Sequence, residues 1–263
     1  MECTFIGVGA AFDYRQTNTS VLVETAEKSM LMDCGFNAAH SFVRRARNPA
    51  ELDLIWLSHF HGDHCFGLPF LVGYLFTAER TKELTICGPA GVKNKIPDLI
   101  AMAYPNLLDK IDFRITIEEL EPDNNYCISG FNLSVCNVDH SQPAMCIRSE
   151  HDGRAVFYSG DGAMIPQCTE LAWEADLGIL EAYGLDYPVK GHSTVKECLE
   201  FASASKIRQV ALVHMAPFMR TFRQSDIGDL LDKFKSVQAL IPEEGQRVLP
   251  GRTSGAGNVT REE

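Results

Sequence analysis

Apolar runs of strand length recur along the chain, separated by polar or Gly- and Pro-containing breaks, and several of them close on a residue that can bind a metal. Cys3 to Val8, Ser20 to Glu24 and Ser29 to Asp33 read as strands, followed by a helix over Ala38 to Ala46 and a strand over Leu52 to Leu57. An apolar helix is expected from Asp63 to Thr77, a strand over Leu84 to Cys87, and a helix after Gly88-Pro89-Ala90-Gly91. The middle reads as strands at Ile115 to Leu120, Tyr126 to Ile128, Phe131 to Val138, Ala144 to Ser149 and Ala155 to Ser159, with Asp152-Gly153 as a hairpin turn. A helix at Gln167 to Trp173, a strand at Leu177 to Glu181, a helix at Val195 to Ser203, a strand at Gln209 to His214 and a helix at Ser225 to Phe234 complete the pattern. No Pro-, Gly-, Ser- or charge-rich stretch marks a linker, so residues 1–250 are expected to form one domain and 251–263 a flexible tail. Many strands with helices early and late predict two packed sheets carrying helices on their outer faces.

Composition narrows the partners. With 45% apolar residues the chain can bury a sizeable core, and its formal net charge of -11, from 35 acidic against 24 basic residues, disfavours a nonspecific grip on nucleic acid and makes DNA an unexpected partner. No apolar run approaches the roughly 18 to 20 residues of a membrane span, and Met1-Glu2-Cys3-Thr4 does not begin a signal pattern, so the expected location is the cytoplasm. Nine scattered cysteines without a Cys-x-x-Cys pair read as reduced, buried thiols, with Cys65, next to His64, as the one candidate for ligation or oxidation.

The candidate chemistry begins at His59-Phe60-His61-Gly62-Asp63-His64, where four electron-pair donors occupy six residues at the end of an apolar run. Packing such donors together without a cation leaves polar groups desolvated, which points to metal binding. Extension past the strand puts His59 and His61 on one side, while Asp63 and His64 open the next helix, so two adjacent donor clusters are expected. Further runs close on His140, Asp161 and His214. His40 and His151 read as exposed.

These residues, together with Asp33 in Leu31-Met32-Asp33-Cys34-Gly35, resemble the metallo-β-lactamase superfamily from about Phe5 to Pro217. The resemblance implies an α+β fold, a four-layer αβ/βα sandwich of two mixed sheets flanked by helices, with two divalent metals, zinc foremost and manganese or iron as alternatives. It implies His59, His61 and His140 on one metal, Asp63, His64 and His214 on the other, Asp161 as a bridge, and Asp33 supporting the histidine loop. Asp63 is also counted with the catalytic residues. Such a metal pair shares a hydroxide nucleophile and clamps the oxygens of an in-line displacement at phosphorus.

Leu180-Glu181-Ala182 and Gly191-His192-Ser193-Thr194 choose among reactions. A phosphodiesterase expels an alkoxide, so a histidine held by a carboxylate is useful as proton donor; the plainer reading is that Ser193 or Thr194 caps a helix with Glu197 answering in a capping box. The pattern is similar to the ribonuclease Z branch, which implies that Glu181 and His192 are the proton-transfer pair and that the chain is a homodimer. Two features depart from the tRNA-processing members: His140 and Asp161 are only 21 residues apart, too close for their protruding arm, and Phe36-Asn37-Ala38 replaces acidic and polar residues. The expected function is therefore a dinuclear phosphodiesterase acting on a small phosphodiester, a cyclic nucleotide foremost. A tRNA 3'-end endoribonuclease without the long arm, and a thioesterase or lactonase, are the alternatives. Lys190, Tyr187, Arg220 and Arg223 are candidate substrate contacts.

Overall fold

The computed structural model describes residues 1–251, so the expected tail from 252 onward lies outside the described residues. Two seven-stranded sheets pack face to face. The first contains β1 (Glu2–Gly7), β2 (Ser20–Glu24), β3 (Ser29–Met32), β4 (Leu54–Trp56), β5 (Leu84–Gly88), β6 (Ile115–Glu119) and β14 (Arg247–Val248), in the order β14-β1-β2-β3-β4-β5-β6. The second contains β7 (Asn125–Ile128), β8 (Phe131–Val138), β9 (Ala144–His151), β10 (Arg154–Tyr158), β11 (Leu177–Glu181), β12 (Gln209–Val213) and β13 (Gln238–Leu240), in the order β13-β12-β11-β10-β9-β8-β7. Each sheet is antiparallel on one side and parallel on the other: β3, β4, β5 and β6 run parallel in the first, and β10, β11, β12 and β13 in the second.

Alternation along the strands sorts side chains into three cores. Phe131, Leu133 and Val135 of β8 meet Phe5, Met30, Trp56 and others between the sheets, while Cys136 and Val138 point outward. The outer face of the first sheet is covered by α1 (Ala38–Arg45), α3 (Leu68–Thr77) and α4 (Val92–Ala103). That of the second is covered by α5 (Pro166–Leu171), α6 (Val195–Ala204), α7 (Pro217–Phe222) and α8 (Gln224–Lys233). The result is the αβ/βα sandwich expected from the sequence.

One expectation is corrected. The apolar helix read from Asp63 to Thr77 is two helices, the single turn α2 (Gly62–Cys65) and α3, separated by Phe66-Gly67. Pro69 has no N–H to give the Cys65 carbonyl, so the ladder stops there. The gap is also held from outside, because the Gly67 N–H donates to the Cys34 carbonyl oxygen at 2.9 Å, and a Cβ on Gly67 would lie 2.2 Å from the Gly35 carbonyl oxygen. Periodicity is blind to both effects. The short elements β13, β14, α7 and a 3-10 turn at Pro49–Glu51 carry too few residues for any period to register.

The carboxyl ends of β3, β4, β10, β11 and β12 open at one end of the sandwich, and β8, antiparallel to β9 and so parallel to β10, ends there too. The opposite ends of β3, β4 and β5 are pinned by Asp53, whose carboxylate accepts from Ser29 N–H (3.0 Å), Lys28 Nζ (3.0 Å) and Lys82 Nζ (2.9 Å). Burial alone would raise this carboxyl; the bonds from Lys82, Ser29 and Lys28 outweigh it and hold it below its ordinary value. A lowered carboxyl stabilises the fold above the unfolded value near about 3.9 and loses that contribution as pH falls through the folded one. Asp53→Asn should therefore lower Tm at neutral pH and shrink the further loss on acidification below about pH 4. Thermal melts of both proteins across that range check it, and parallel acid-side losses would count against the assignment.

Candidate metal centre

The loops that leave these strand ends bring together the histidine and aspartate donors singled out in the sequence. The first cluster is made by His59 Nε2, His61 Nδ1 and His140 Nε2: the His61 nitrogen lies 3.0 Å from that of His59 and 3.2 Å from that of His140. A tetrahedral ion with bonds of about 2.0 Å has neighbouring donors about 3.3 Å apart, so the cluster has the size of a metal shell. In the second cluster, Asp63 Oδ2 lies 3.1 Å from His64 Nε2 and 3.2 Å from His214 Nε2, and Asp161 Oδ2 lies 3.3 and 3.2 Å from the same two nitrogens.

Partners on the far side of the rings fix which nitrogen faces the cluster. His64 Nδ1–H donates to Asp33 Oδ2 at 2.8 Å, and His140 Nδ1–H donates to the Gly191 carbonyl oxygen at 2.7 Å. The Ser58 hydroxyl donates to Asp33 Oδ2 at 2.8 Å and, its proton so used, accepts from His59 Nδ1–H at 2.9 Å. Tyr158 OH, at the end of β10, gives Asp33 Oδ2 a further hydrogen bond at 2.8 Å, and Ser58 N–H donates to Oδ1 at 2.7 Å. Asp33 and His214 both adopt left-handed backbone, φ 60° and 55°, a conformation uncommon for residues with a Cβ and concentrated at functional sites.

The residues fit a cation. Asp33, Asp63 and Asp161 are buried, and buried carboxylates need compensating positive charge. The carboxylates draw positive charge: burial opposes protonation of His214, but Asp161, a hydrogen bond from its Nε2 to Asp63 and the nearby Glu181 carboxylate push it up to about 10. His64 is likewise raised by Asp161 and Asp33 against burial, while Asp63 and Asp161 are held well below the carboxylate range. His59 and His61 are lowered by burial and by neighbouring imidazoles, which keeps them neutral, the form that ligates. His64 Nε2, Asp161 Oδ1 and His214 Nδ1 are buried without a hydrogen bond.

Glu181 and His192 meet beside the two clusters. His192 Nδ1–H donates to Glu181 Oε1 at 2.5 Å, while Gly162 N–H and Ser193 N–H both hold Oε2 at 3.1 Å. Burial lowers the His192 pKa, but the Glu181 bond more than offsets it and the net shift is upward. Its ring stacks on Tyr183 at 4.7 Å and lies 5.2 Å from that of His140. The capping-box reading of the same stretch is also correct, since Thr194 accepts from Glu197 N–H and Glu197 answers to Thr194 N–H. The two readings describe adjacent residues and do not compete.

Other candidates fare differently. Cys65 is outside both clusters: its thiol faces the His61 carbonyl oxygen, and burial pushes it up to about 12. Arg220 Nη2 donates to the Pro242 carbonyl oxygen at 2.6 Å, and Arg223 pairs with Asp226. His40 is exposed as expected, whereas His151 is half-buried and sits near Asp152. Ser58, Tyr158, Tyr183 and the Gly191 carbonyl escaped the sequence reading; only Ser58, adjacent to His59, carried a signal that pointed there.

The family described as Anti-Pycsar protein Apyc1 matches residues 1–232. A ribonuclease Z of Thermoplasma volcanium is 26% identical over 285 aligned residues, covering 88% of this chain and 91% of that protein. A ribonuclease Z of Staphylococcus carnosus is 30% identical over 155 residues, 57% of this chain and 49% of that protein, so the chain spans about half the length of the staphylococcal relative it matches. The metallo-beta-lactamase fold protein YhfI of Bacillus subtilis superposes with a TM-score of 0.77 at 20% identity, covering 94% of this chain and 98% of that one. The chain belongs to the family of the Anti-Pycsar protein Apyc1, and its fold is that of the metallo-β-lactamase proteins.

Proposed function

We propose that the chain is a dinuclear zinc phosphodiesterase that hydrolyses a small phosphodiester, with a cyclic nucleotide as the substrate class. The observation that carries the reading is the Glu181–His192 pair beside the paired donor clusters, because a proton donor at that place serves an alkoxide leaving group. His59, His61 and His140 would hold one ion, Asp63, His64 and His214 the other, and Asp161 would be shared between them. Bound there, the ions supply Lewis acidity to phosphate oxygens and lower the pKa of water at the site.

The chain's own residues do the rest. Glu181 takes the Nδ1 proton of His192 in a hydrogen bond and so leaves Nε2–H to meet the departing oxygen. Gly162 and Ser193 hold the carboxylate still, and Tyr183 keeps the imidazole plane from turning. Asp63, placed between the His64 and His214 imidazoles, would serve as ligand beside the Glu181–His192 proton-transfer pair and stands with them among the catalytic residues.

The preference for a small substrate over tRNA is supported by the connection between His140 and Asp161. It is filled by the β9–β10 hairpin, and the formal charge of -11 gives RNA little to grip. A tRNA 3'-end endonuclease is the second reading, favoured by the ribonuclease Z names of the relatives. The decisive experiment offers the zinc-loaded protein bis-p-nitrophenyl phosphate, a panel of cyclic nucleotides, a pre-tRNA, a thioester and a lactone. Turnover of cyclic nucleotides with little pre-tRNA cleavage is expected; turnover of the carbon esters alone would sink the proposal.

His192→Ala and Glu181→Gln should each lower kcat on the phosphodiester by roughly 10²- to 10⁴-fold while zinc content stays at the wild-type level. Asp33→Ala should weaken zinc retention about 10- to 100-fold in a chelator competition, since it orients His64 and, through Ser58, His59. The ribonuclease Z likeness also favours a homodimer, and we assign a second copy to the exposed aromatic face formed by Phe36, Phe66 and Phe70. Light scattering should then give twice the mass of one chain, falling to one chain for Phe70→Glu.

A further inference from the structure

A second group of soft donors lies in the outer core of the other sheet, away from the histidine loop. Cys136 and Cys146 stand opposite each other in register on β8 and β9, and Cys168 comes down on them from α5. All three are buried. Their sulfurs are separated by 3.5 Å (Cys136 to Cys168), 3.7 Å (Cys136 to Cys146) and 3.8 Å (Cys146 to Cys168).

We infer that Cys136, Cys146 and Cys168 form a binding site for a thiophilic d10 divalent ion of the zinc class, separate from the histidine and aspartate centre. The size of the sulfur triangle is the first argument. A tetrahedral zinc ion with bonds of about 2.3 Å has sulfurs about 3.8 Å apart along an edge, whereas a planar three-sulfur site with the same bonds has them about 4.0 Å apart. The observed edges reach up to the tetrahedral value and stop there.

The second argument is a fourth donor on the same triangle. The Asn137 carbonyl oxygen lies 3.3 Å from Cys136 Sγ and 3.4 Å from Cys168 Sγ. The remaining polar neighbour, the Cys136 carbonyl oxygen, accepts from the Cys146 thiol at 3.5 Å. The cysteines come from two strands and a helix, which makes an ion there a staple across elements distant in sequence. Cys136 lies on the strand that leads to His140, and Cys168 on the helix that follows Asp161, so the staple would brace both approaches to the catalytic end.

The test uses cadmium(II) alone as probe on the full-length, reduced protein, refolded in its presence. A sulfur-to-cadmium charge-transfer absorption is expected, which a centre of imidazoles and carboxylates cannot produce. Cys136→Ser, Cys146→Ser and Cys168→Ser should each reduce it strongly, and Cys65→Ser should leave it intact. Since a serine in a packed core can disturb folding, wild-type protein loaded with zinc gives an independent reading: X-ray absorption should show sulfur scattering at about 2.3 Å beside that of nitrogen and oxygen. A wild type with no charge-transfer band, or a zinc shell of nitrogen and oxygen alone, overturns the site.

Discussion

The carboxylate of Asp33 is the fixed point on which the catalytic end is built. It leaves β3 of the first sheet, yet takes a hydrogen bond from Tyr158 of the second, and it holds Ser58 and His64 of the histidine loop at the same time. One buried side chain therefore sets the distance between the sheets and the tautomers of two imidazoles. Four donors satisfy this buried carboxylate, and removing any one costs it a charge-assisted hydrogen bond that water cannot replace. The left-handed backbone at Asp33 shows that the chain bends out of its preferred conformation to place this group.

Tight contacts surround that point. A Cβ on Gly35 would lie 1.9 Å from the Asp63 carbonyl oxygen, so only glycine lets the end of β3 pass under the loop that carries the ligands. Cys34 N–H donates to the His64 carbonyl oxygen at 2.7 Å, and Met145 N–H of the second sheet donates to the Ser58 carbonyl oxygen at 3.1 Å. Loop, first sheet and second sheet are thus one hydrogen-bonded unit, and the donor clusters inherit their spacing from it.

Much of this was legible in the sequence, for a physical reason. Strands buried on both faces are apolar throughout, so a His or Asp at their end stands out, and His59, His61, His140, Asp161 and His214 were found in this way. The two-cluster arrangement followed from the turn between His61 and Asp63. What escaped was set by tertiary contact: the break at Phe66-Gly67 depends on the Cys34 carbonyl just past β3, and Tyr158 reads as one more apolar strand residue until its hydroxyl meets Asp33. Nearness in sequence to His214 likewise said nothing about the Pro242 carbonyl that takes a hydrogen bond from Arg220 Nη2.

The loop bearing His192 is bound at both edges. Its Val189–His192 and Gly184–Thr194 bridges tie it to itself and to the segment after β11, and the Thr194 cap starts α6 two residues later. A side chain on a free loop would have to surrender its rotational freedom each time a substrate arrived, on the order of 0.5 to 1.5 kcal/mol. Here that loss is incurred once, when the polypeptide folds, and every later encounter finds the imidazole already aimed.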